Sequence, residues 1–162
     1  MPISQNQNVI KSIYDNLIIV AENLQNYVNY MQYLSIPSNI NSNVFTDSFK
    51  NLPQEDKNKF YTFFKQMSSI SKNHPTFYKN MANELNNKKF DIDYNMLCNS
   101  TKFYETCRAN YNTYKSYEDN GIIPKNSLCY YMTNCEKALK SIKDLLINNK
   151  SSFTEQRITS EI

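Results

Sequence analysis

The sequence has few of the residues on which most familiar active sites depend. Gly121 is the only glycine and His74 the only histidine among 162 residues, and tryptophan is absent. A single glycine cannot build a glycine-rich phosphate loop, and a single histidine excludes almost every zinc-hydrolase or triad arrangement. We therefore predict no catalytic residue, no metal site and no cofactor for this chain.

Long apolar runs are also missing, since none approaches the roughly 18 residues that cross a bilayer, and we expect no membrane span. The chain is nevertheless 40% hydrophobic and 14% aromatic, which is too apolar for a disordered segment. Its length suits one domain of roughly 100 to 200 residues. Asn, Lys, Ile and Tyr are abundant while Ala, Arg and Gly are scarce, which indicates an AT-rich genome such as that of a protozoan.

The formal charge of +3 is too small to attract a polyanion by itself. The basic surplus lies in the middle of the chain, at Lys57, Lys59, Lys65, Lys72, Lys79, Lys88 and Lys89. Nucleic-acid binding calls for a basic stripe with arginines or stacking aromatics. These lysines are spread out and include no arginine, so we predict a solvated helix face and no nucleic-acid partner.

The clearest pattern is a long amphipathic helix at the N-terminus. Apolar residues recur on two heptad phases, at Ile10, Leu17, Leu24 and Met31 and at Ile13, Val20, Tyr27 and Leu34. Tyr14, Ala21 and Val28 widen the stripe beyond a two-position seam, which favours packing against several neighbours over a dimeric coiled coil. Pro37 is expected to end this helix, because the residue before a proline avoids the helical region.

The middle of the chain predicts two shorter helices. The first begins at Pro53, after a short turn near Phe45 and Phe49, and the second is capped by Thr76 after the break at His74 and Pro75. The predicted buried positions are Phe60, Phe63, Phe64, Met67 and Ile70 in the first and Phe77, Tyr78, Met81 and Leu85 in the second.

Two further helices complete the fold. One starts at Asp93 or Ser100 and ends before Gly121, which can adopt the left-handed conformation after a helix; the other starts at Asn126 or Ser127. No period-two alternation indicates a sheet. We predict an all-α, single-domain bundle of about five helices over residues 1–149, with a long N-terminal helix, a C-terminal cysteine-bearing helical hairpin and a polar tail over 150–162.

The four cysteines, Cys98, Cys107, Cys129 and Cys135, all lie in this hairpin. Cys129 and Cys135 would stand roughly 9 Å apart along one helix, beyond the roughly 7 Å limit for a disulfide. Cys107 and Cys135 are nearly in reach between antiparallel neighbours, whereas Cys98 can pair with Cys107 only if the helix starts after Cys98. We expect one or two disulfides, with buried free thiols as the alternative. Zinc is disfavoured, because the spacings lack the close pairs of structural zinc sites.

The sequence leaves the compartment open. The sequons at Asn99 and Asn149 are expected by chance in so Asn-rich a chain, and no signal peptide is evident at its start. A full-length chain predicts a cytosolic or organellar protein, and a mature fragment predicts an extracellular or cell-surface one.

Catalysis is the weaker of the two broad functional hypotheses. A cysteine nucleophile needs a base or another neighbour that lowers its pKa, and nothing in the sequence places His74 beside a thiol. A lone histidine before a proline is typical of a surface loop. We therefore expect the chain not to be an enzyme, and we infer no small-molecule substrate.

The 13 tyrosines offer a recognition surface, because tyrosine combines contact area with a polar hydroxyl. The predicted interface residues are Tyr30, Tyr33, Tyr111, Tyr114, Tyr117, Tyr130 and Tyr131. We expect a protein partner and a role as an accessory or scaffold subunit. The alternative is a secreted or surface-exposed, disulfide-stabilised ligand of a parasite; a Cys/His enzyme and a nucleic-acid binder are less favoured.

Overall fold

The computed structural model describes residues 2–38, 45–88 and 90–153, with side chains from Gln7 onward. Over these residues the chain is helical, without a strand, which confirms the all-α bundle. The helices are α1 (Pro2–Leu34), α2 (Asp47–Lys50), α3 (Gln54–Ser71), α4 (His74–Lys88), α5 (Tyr94–Ser100), α6 (Phe103–Asp119) and α7 (Leu128–Asn148). They exceed the predicted five because the turn before α3 is a short helix and the predicted fourth helix is divided in two.

Helix α1 is the central element of the bundle. It packs along α7, α4 and α3, while α6 packs on α7. At 1.5 Å per residue its 33 residues extend over about 50 Å, which is long enough to contact several partners. All eight heptad residues predicted for this helix are buried, and the helix ends at Leu34, ahead of Pro37 as expected.

The buried face of α3 differs from the predicted one. Phe60 and Phe64 are buried as expected, but Ile70 is 67% exposed, whereas Ser68 and Ser71 are buried. The helix therefore faces the core along positions 60, 64, 68 and 71, and Ile70 lies about a third of a turn away from that line. Beneath the start of α3, the ring of Phe49 packs 4.5 Å from that of Phe45 and 4.7 Å from that of Phe60.

The predicted starts of the next two helices also need correction. Helix α4 begins at His74, so Thr76 is inside the helix and is not its cap, and Pro75 is accommodated in the first turn, where a missing N–H costs little. Phe77, predicted to be buried, is 40% exposed. Asp93 does cap a helix, since its Oδ1 accepts from the N–H of Met96 at 3.1 Å, but that helix is α5.

The α6–α7 hairpin forms where the sequence predicted it. Helix α6 ends at Asp119, and Gly121 follows with φ +72°, a conformation that glycine adopts without steric cost. The connection is closed by Glu118, whose carboxylate accepts from the backbone N–H of Ser127 at 3.3 Å and of Cys129 at 3.1 Å. Glu118 is 5% exposed, so a buried acidic side chain at the end of α6 caps the start of α7.

The packed chain continues past the predicted domain boundary at residue 149. Phe153 is 1% exposed, and its ring lies 4.5 Å from that of Phe90 and 5.2 Å from that of Tyr94. Residues 150–153 therefore belong to the packed domain; the rest of the predicted polar tail, 154–162, lies outside the described residues. Within the described ranges, no helix combines the length and apolarity needed to cross a membrane.

Candidate functional site

The structure places the seven predicted interface tyrosines at very different depths. Tyr130 is 56% exposed, while Tyr114 is fully buried. The other five, Tyr30, Tyr33, Tyr111, Tyr117 and Tyr131, are half-buried and pack against the core. The prediction that Tyr114 lies at a surface is therefore wrong, and an interface role for the other six stays a prediction.

Tyr114 is instead part of a polar contact in the core. Its hydroxyl lies 2.6 Å from that of Tyr27, and the two rings meet edge to face at 5.8 Å. The same hydroxyl lies 3.9 Å from the sulfur of Met31. Burial raises the pKa of Tyr114 to about 12, so the pair stays neutral and serves packing between α1 and α6.

Tyr117, another of the predicted interface residues, is half-buried because other rings pack on it. Its ring lies 5.8 Å from that of Phe60 and 6.0 Å from that of Phe64. Helix α3 therefore covers much of this side chain. Tyr30 is also half-buried and packs against the core, and this burial raises the pKa of its hydroxyl to about 12.

All four cysteines are free thiols, so the expected disulfides are not present and the alternative of buried thiols describes Cys107, Cys129 and Cys135. The sulfur of Cys129 points to the carbonyl of Tyr111 at 3.7 Å, and that of Cys135 to the carbonyl of Val20 at 3.8 Å. Two sulfurs thus face backbone oxygens and not each other.

The environment of these thiols disfavours reactivity. Burial raises the pKa of Cys107 and of Cys129 to about 12, and it raises that of Cys135 as well. Since the thiolate is the nucleophilic form, these sulfurs are poorly suited to attack a substrate. Nor do any three His, Cys, Asp or Glu side chains of the described segments lie close enough together to hold a metal ion.

A surface concavity with a volume of about 620 Å³ surrounds His74. It lies between the start of α4 and the junction of α5 with α6. We call it the His74 groove; its walls are Asn73, His74, Phe77, Tyr78, Asn99, Ser100, Lys102, Phe103, Glu105 and Thr106.

The helix break that forms one wall has a local cause. The hydroxyl of Ser100 donates to the carbonyl of Leu97 at 2.6 Å, and that of Thr101 donates to the carbonyl of Cys98 at 2.7 Å. Such bonds from Ser and Thr compete with the helical backbone pattern. Tyr78 then donates to the carbonyl of Ser100 at 2.7 Å, which ties α4 to the break and fixes the two walls of the groove together.

Aromatic rings form the floor of the groove. The ring of His74 lies 4.9 Å from that of Phe103, with 34° between their planes, and its Nδ1 is 3.3 Å from the carbonyl oxygen of Ser71. Tyr78 packs 6.1 Å from Phe103 and 5.3 Å from Phe77. Phe77 remains 40% exposed, so the groove presents an open apolar ring to solvent.

The rim of the groove is polar and carries charges of both signs. Asn73, Asn99, Lys102 and Glu105 are exposed along it. None of the four cysteines is part of the wall, so the structure gives no support to a Cys/His nucleophile built on His74. The expectation that the chain is not an enzyme stays a prediction.

A second, smaller concavity of about 320 Å³ lies on the other side of the α4 start. It runs between α1 and α4, with Ile18, Glu22, Pro75 and Lys79 among its walls. It contains no aromatic ring, whereas aromatic residues are enriched at interfaces and hot spots. The His74 groove is therefore the better candidate site.

Sequence reasoning missed this groove. Its two walls are separated by more than twenty residues, and they meet only because α4 and the α5–α6 break pack together. The available signal was a pair of polar interruptions, at Asn73 and His74 and again at Asn99, Ser100 and Thr101, each next to aromatic residues. Comparison with known proteins finds no family model, curated protein or solved structure that matches this chain.

Proposed function

We propose that this protein is a non-catalytic interaction module, an accessory or scaffold subunit that holds a segment of a partner protein in the His74 groove. The observation that carries the proposal is the exposed ring of Phe77 in a groove floored by His74, Tyr78 and Phe103. Exposed apolar rings bounded by polar groups are typical of recognition sites.

The size and shape of the groove support this use. A volume of about 620 Å³ lies within the range of roughly 300 to 1,000 Å³ that characterises ligand pockets, and it suits a few side chains of a peptide. Because Tyr78 links α4 to Ser100 through a hydrogen bond, the walls are fixed before a partner arrives. Preorganisation of this kind lowers the entropic cost of binding.

The disulfide-stabilised parasite ligand is not supported to the same degree. That hypothesis depended on cross-links in the C-terminal hairpin, and the four thiols are free. The predicted tyrosine interface near the hairpin is also weakened, because Tyr114, one of its residues, is buried and cannot contact a partner.

The proposal can be tested by selecting binders to the purified 162-residue chain from a random peptide library. The selected peptides are then titrated by fluorescence anisotropy against the unchanged chain and the Phe77→Ser variant. Loss of a central aromatic anchor is expected to weaken binding about tenfold or more, which corresponds to roughly 1.4 kcal/mol or above.

Tyr130→Ser is the matched control, since it also removes an exposed aromatic ring, but one outside the groove. It is expected to leave the affinity unchanged. If no peptide is enriched, or if the selected peptides bind Phe77→Ser as well as they bind the unchanged chain, the groove is not the binding site. Loss of affinity in Tyr130→Ser alone would point to the tyrosine surface in its place.

A further inference from the structure

The floor of the His74 groove includes the chain's only histidine. The imidazole of His74 is half-buried, and it lies 4.9 Å from the ring of Phe103, with 34° between the two planes. Histidine is the side chain whose ordinary change of charge falls between pH 5 and 8. A proton taken up by His74 therefore places a charge on the surface that the proposed partner covers.

The end of α3 determines which nitrogen of His74 takes up that proton. Its Nδ1 lies 3.3 Å from the carbonyl oxygen of Ser71, the last residue of α3. Because a carbonyl only accepts hydrogen bonds, Nδ1 carries the hydrogen in the neutral ring, and Nε2 is the atom that gains one on acidification. The bond to Ser71 is kept in both states, so the ring changes its charge without losing this contact.

The surroundings of His74 do not neutralise the charge through an ion pair. The charged residues of the described groove wall are Lys102 and Glu105, and Lys72 precedes His74 by two residues. None of the ion pairs in the described segments includes His74. The last carbonyls of α3 attract a positive charge at this position, whereas the first turn of α4, to which His74 belongs, repels it. The occupant of the groove is therefore the decisive influence on the charge state.

An apolar side chain that lies on the rings of Phe77 and His74 excludes water from the imidazole. Burial of a charged group without a partner is costly, so such an occupant binds the neutral ring in preference to the imidazolium. We infer that the groove binds its partner through the neutral form of His74 and releases that partner on acidification. This inference rests on the proposed function and adds its regulation, since protons and the partner compete for the same groove.

Proton linkage gives the sign and the size of the expected effect. Where the bound state excludes the proton on Nε2, binding releases protons and the affinity falls as the pH falls. A single proton changes the affinity by at most about tenfold per pH unit. We expect the affinity at pH 5.5 to be about fivefold or more below that at pH 7.5, because this interval spans the ordinary titration of imidazole.

The test uses peptides selected at pH 7.5 that depend on Phe77, contain no histidine and are acetylated at the N-terminus. No group of such a peptide has its ordinary titration between the two pH values. Their affinities are measured by fluorescence anisotropy at pH 7.5 and 5.5 on the unchanged chain and on His74→Phe, which keeps a ring beside Phe103 but cannot gain a proton. This variant is expected to bind about equally at both pH values, whatever its affinity at pH 7.5.

A direct count of protons provides a second readout. Isothermal titration calorimetry at pH 6 in two buffers of different ionisation enthalpy is expected to show proton release when a peptide binds the unchanged chain, and none when it binds His74→Phe. His74→Gln, a neutral and polar replacement, carries the same expectations and replaces His74→Phe if that variant loses its helices. Circular dichroism at both pH values establishes that each protein is folded.

The outcomes separate this inference from the proposed function. If the unchanged chain binds equally at both pH values, or more tightly at pH 5.5, the inference is wrong, while dependence on Phe77 still supports the proposed function. If the neutral variants lose as much affinity at pH 5.5 as the unchanged chain does, the proton acts at another group and the inference is again wrong. If no peptide depends on Phe77, the proposed function fails and this inference fails with it.

Discussion

Two regions of this molecule use the same kinds of side chain in opposite ways. In the core between α1 and α6, Tyr27 and Tyr114 are buried and their hydroxyls bond to each other at 2.6 Å. In the His74 groove, Phe77 is exposed and the carboxamides of Asn73 and Asn99 have no bond to another described side chain. In the first region these aromatic and polar residues stabilise the fold, and in the second the proposed function assigns them to recognition.

The contrast extends to the acidic residues. Glu118, at the end of α6, is buried and accepts two backbone N–H groups from the start of α7. Glu105, in the first turn of the same helix, is exposed on the groove rim. Because a buried polar group is costly unless it is bonded, Glu118 needs its two hydrogen bonds within the fold, whereas the exposed Glu105 is solvated and needs none.

The largest expected effect is the loss of the core tyrosine. Tyr114→Ala should destabilise the protein by about 3 to 5 kcal/mol, the range for replacing a fully buried aromatic by alanine. Urea denaturation followed by circular dichroism would measure it. Tyr130→Ala is the control and should change stability by less than about 0.5 kcal/mol, because Tyr130 is 56% exposed. Similar losses in the two variants would contradict the placement of Tyr114 in the core.

A smaller loss is expected at the cap of α7. Glu118→Gln removes the charge that accepts from Ser127 and Cys129, and should cost about 1 to 3 kcal/mol, because hydrogen bonds to charged groups and charges at helix N-termini both contribute. The same denaturation assay applies. Asp119→Asn removes a neighbouring charge whose pairing with Lys115, at 3.7 Å, is exposed, and should be nearly neutral. An equal effect of both changes would argue against the buried cap.

The sequence predicted the core of α1 well because the pattern there is long and redundant. Eight heptad positions point to one face, so an error at any one of them would not change the helix or its orientation. In α3 the pattern is shorter, and an apolar Ile70 near its end was assigned to the core while Ser68 and Ser71 are buried. Composition alone cannot show that the helix phase set by Phe60 and Phe64 places serines inside.

Tyr114 shows how two sequence arguments can compete. Tyr114 lies seven residues after Cys107, a heptad spacing that favours burial, whereas its place among other tyrosines near the hairpin favours a surface. The structure supports the periodicity, because the side chain completes a pair with Tyr27 on a helix 87 residues away in sequence. That partner cannot be recognised from local spacing.

The candidate site could not be predicted from local sequence patterns, for a related reason. The groove depends on contacts between α4 and the α5–α6 break, above all the bond from Tyr78 to the carbonyl of Ser100. Both polar interruptions, near His74 and near Ser100, are visible in the sequence. Nothing in the sequence shows that they lie close together in the fold. The sequence pattern therefore assigned the neighbouring aromatic residues, such as Phe77, to the core. The groove can be recognised only from the packing of the helices.

A last stability measurement sharpens the comparison between the core and the groove. Phe77→Ser should lower the free energy of unfolding by about 1 to 2 kcal/mol, because the ring is 40% exposed and only its buried part is lost on truncation. Tyr78→Phe, one residue along, removes the hydroxyl that bonds to Ser100 and should cost about 1 kcal/mol or more, since a buried carbonyl loses its partner. Denaturation of the two variants side by side would measure this. A stability loss for Phe77→Ser as large as that for Tyr114→Ala would show that the ring serves the core and would remove the main support for a groove kept open for a partner.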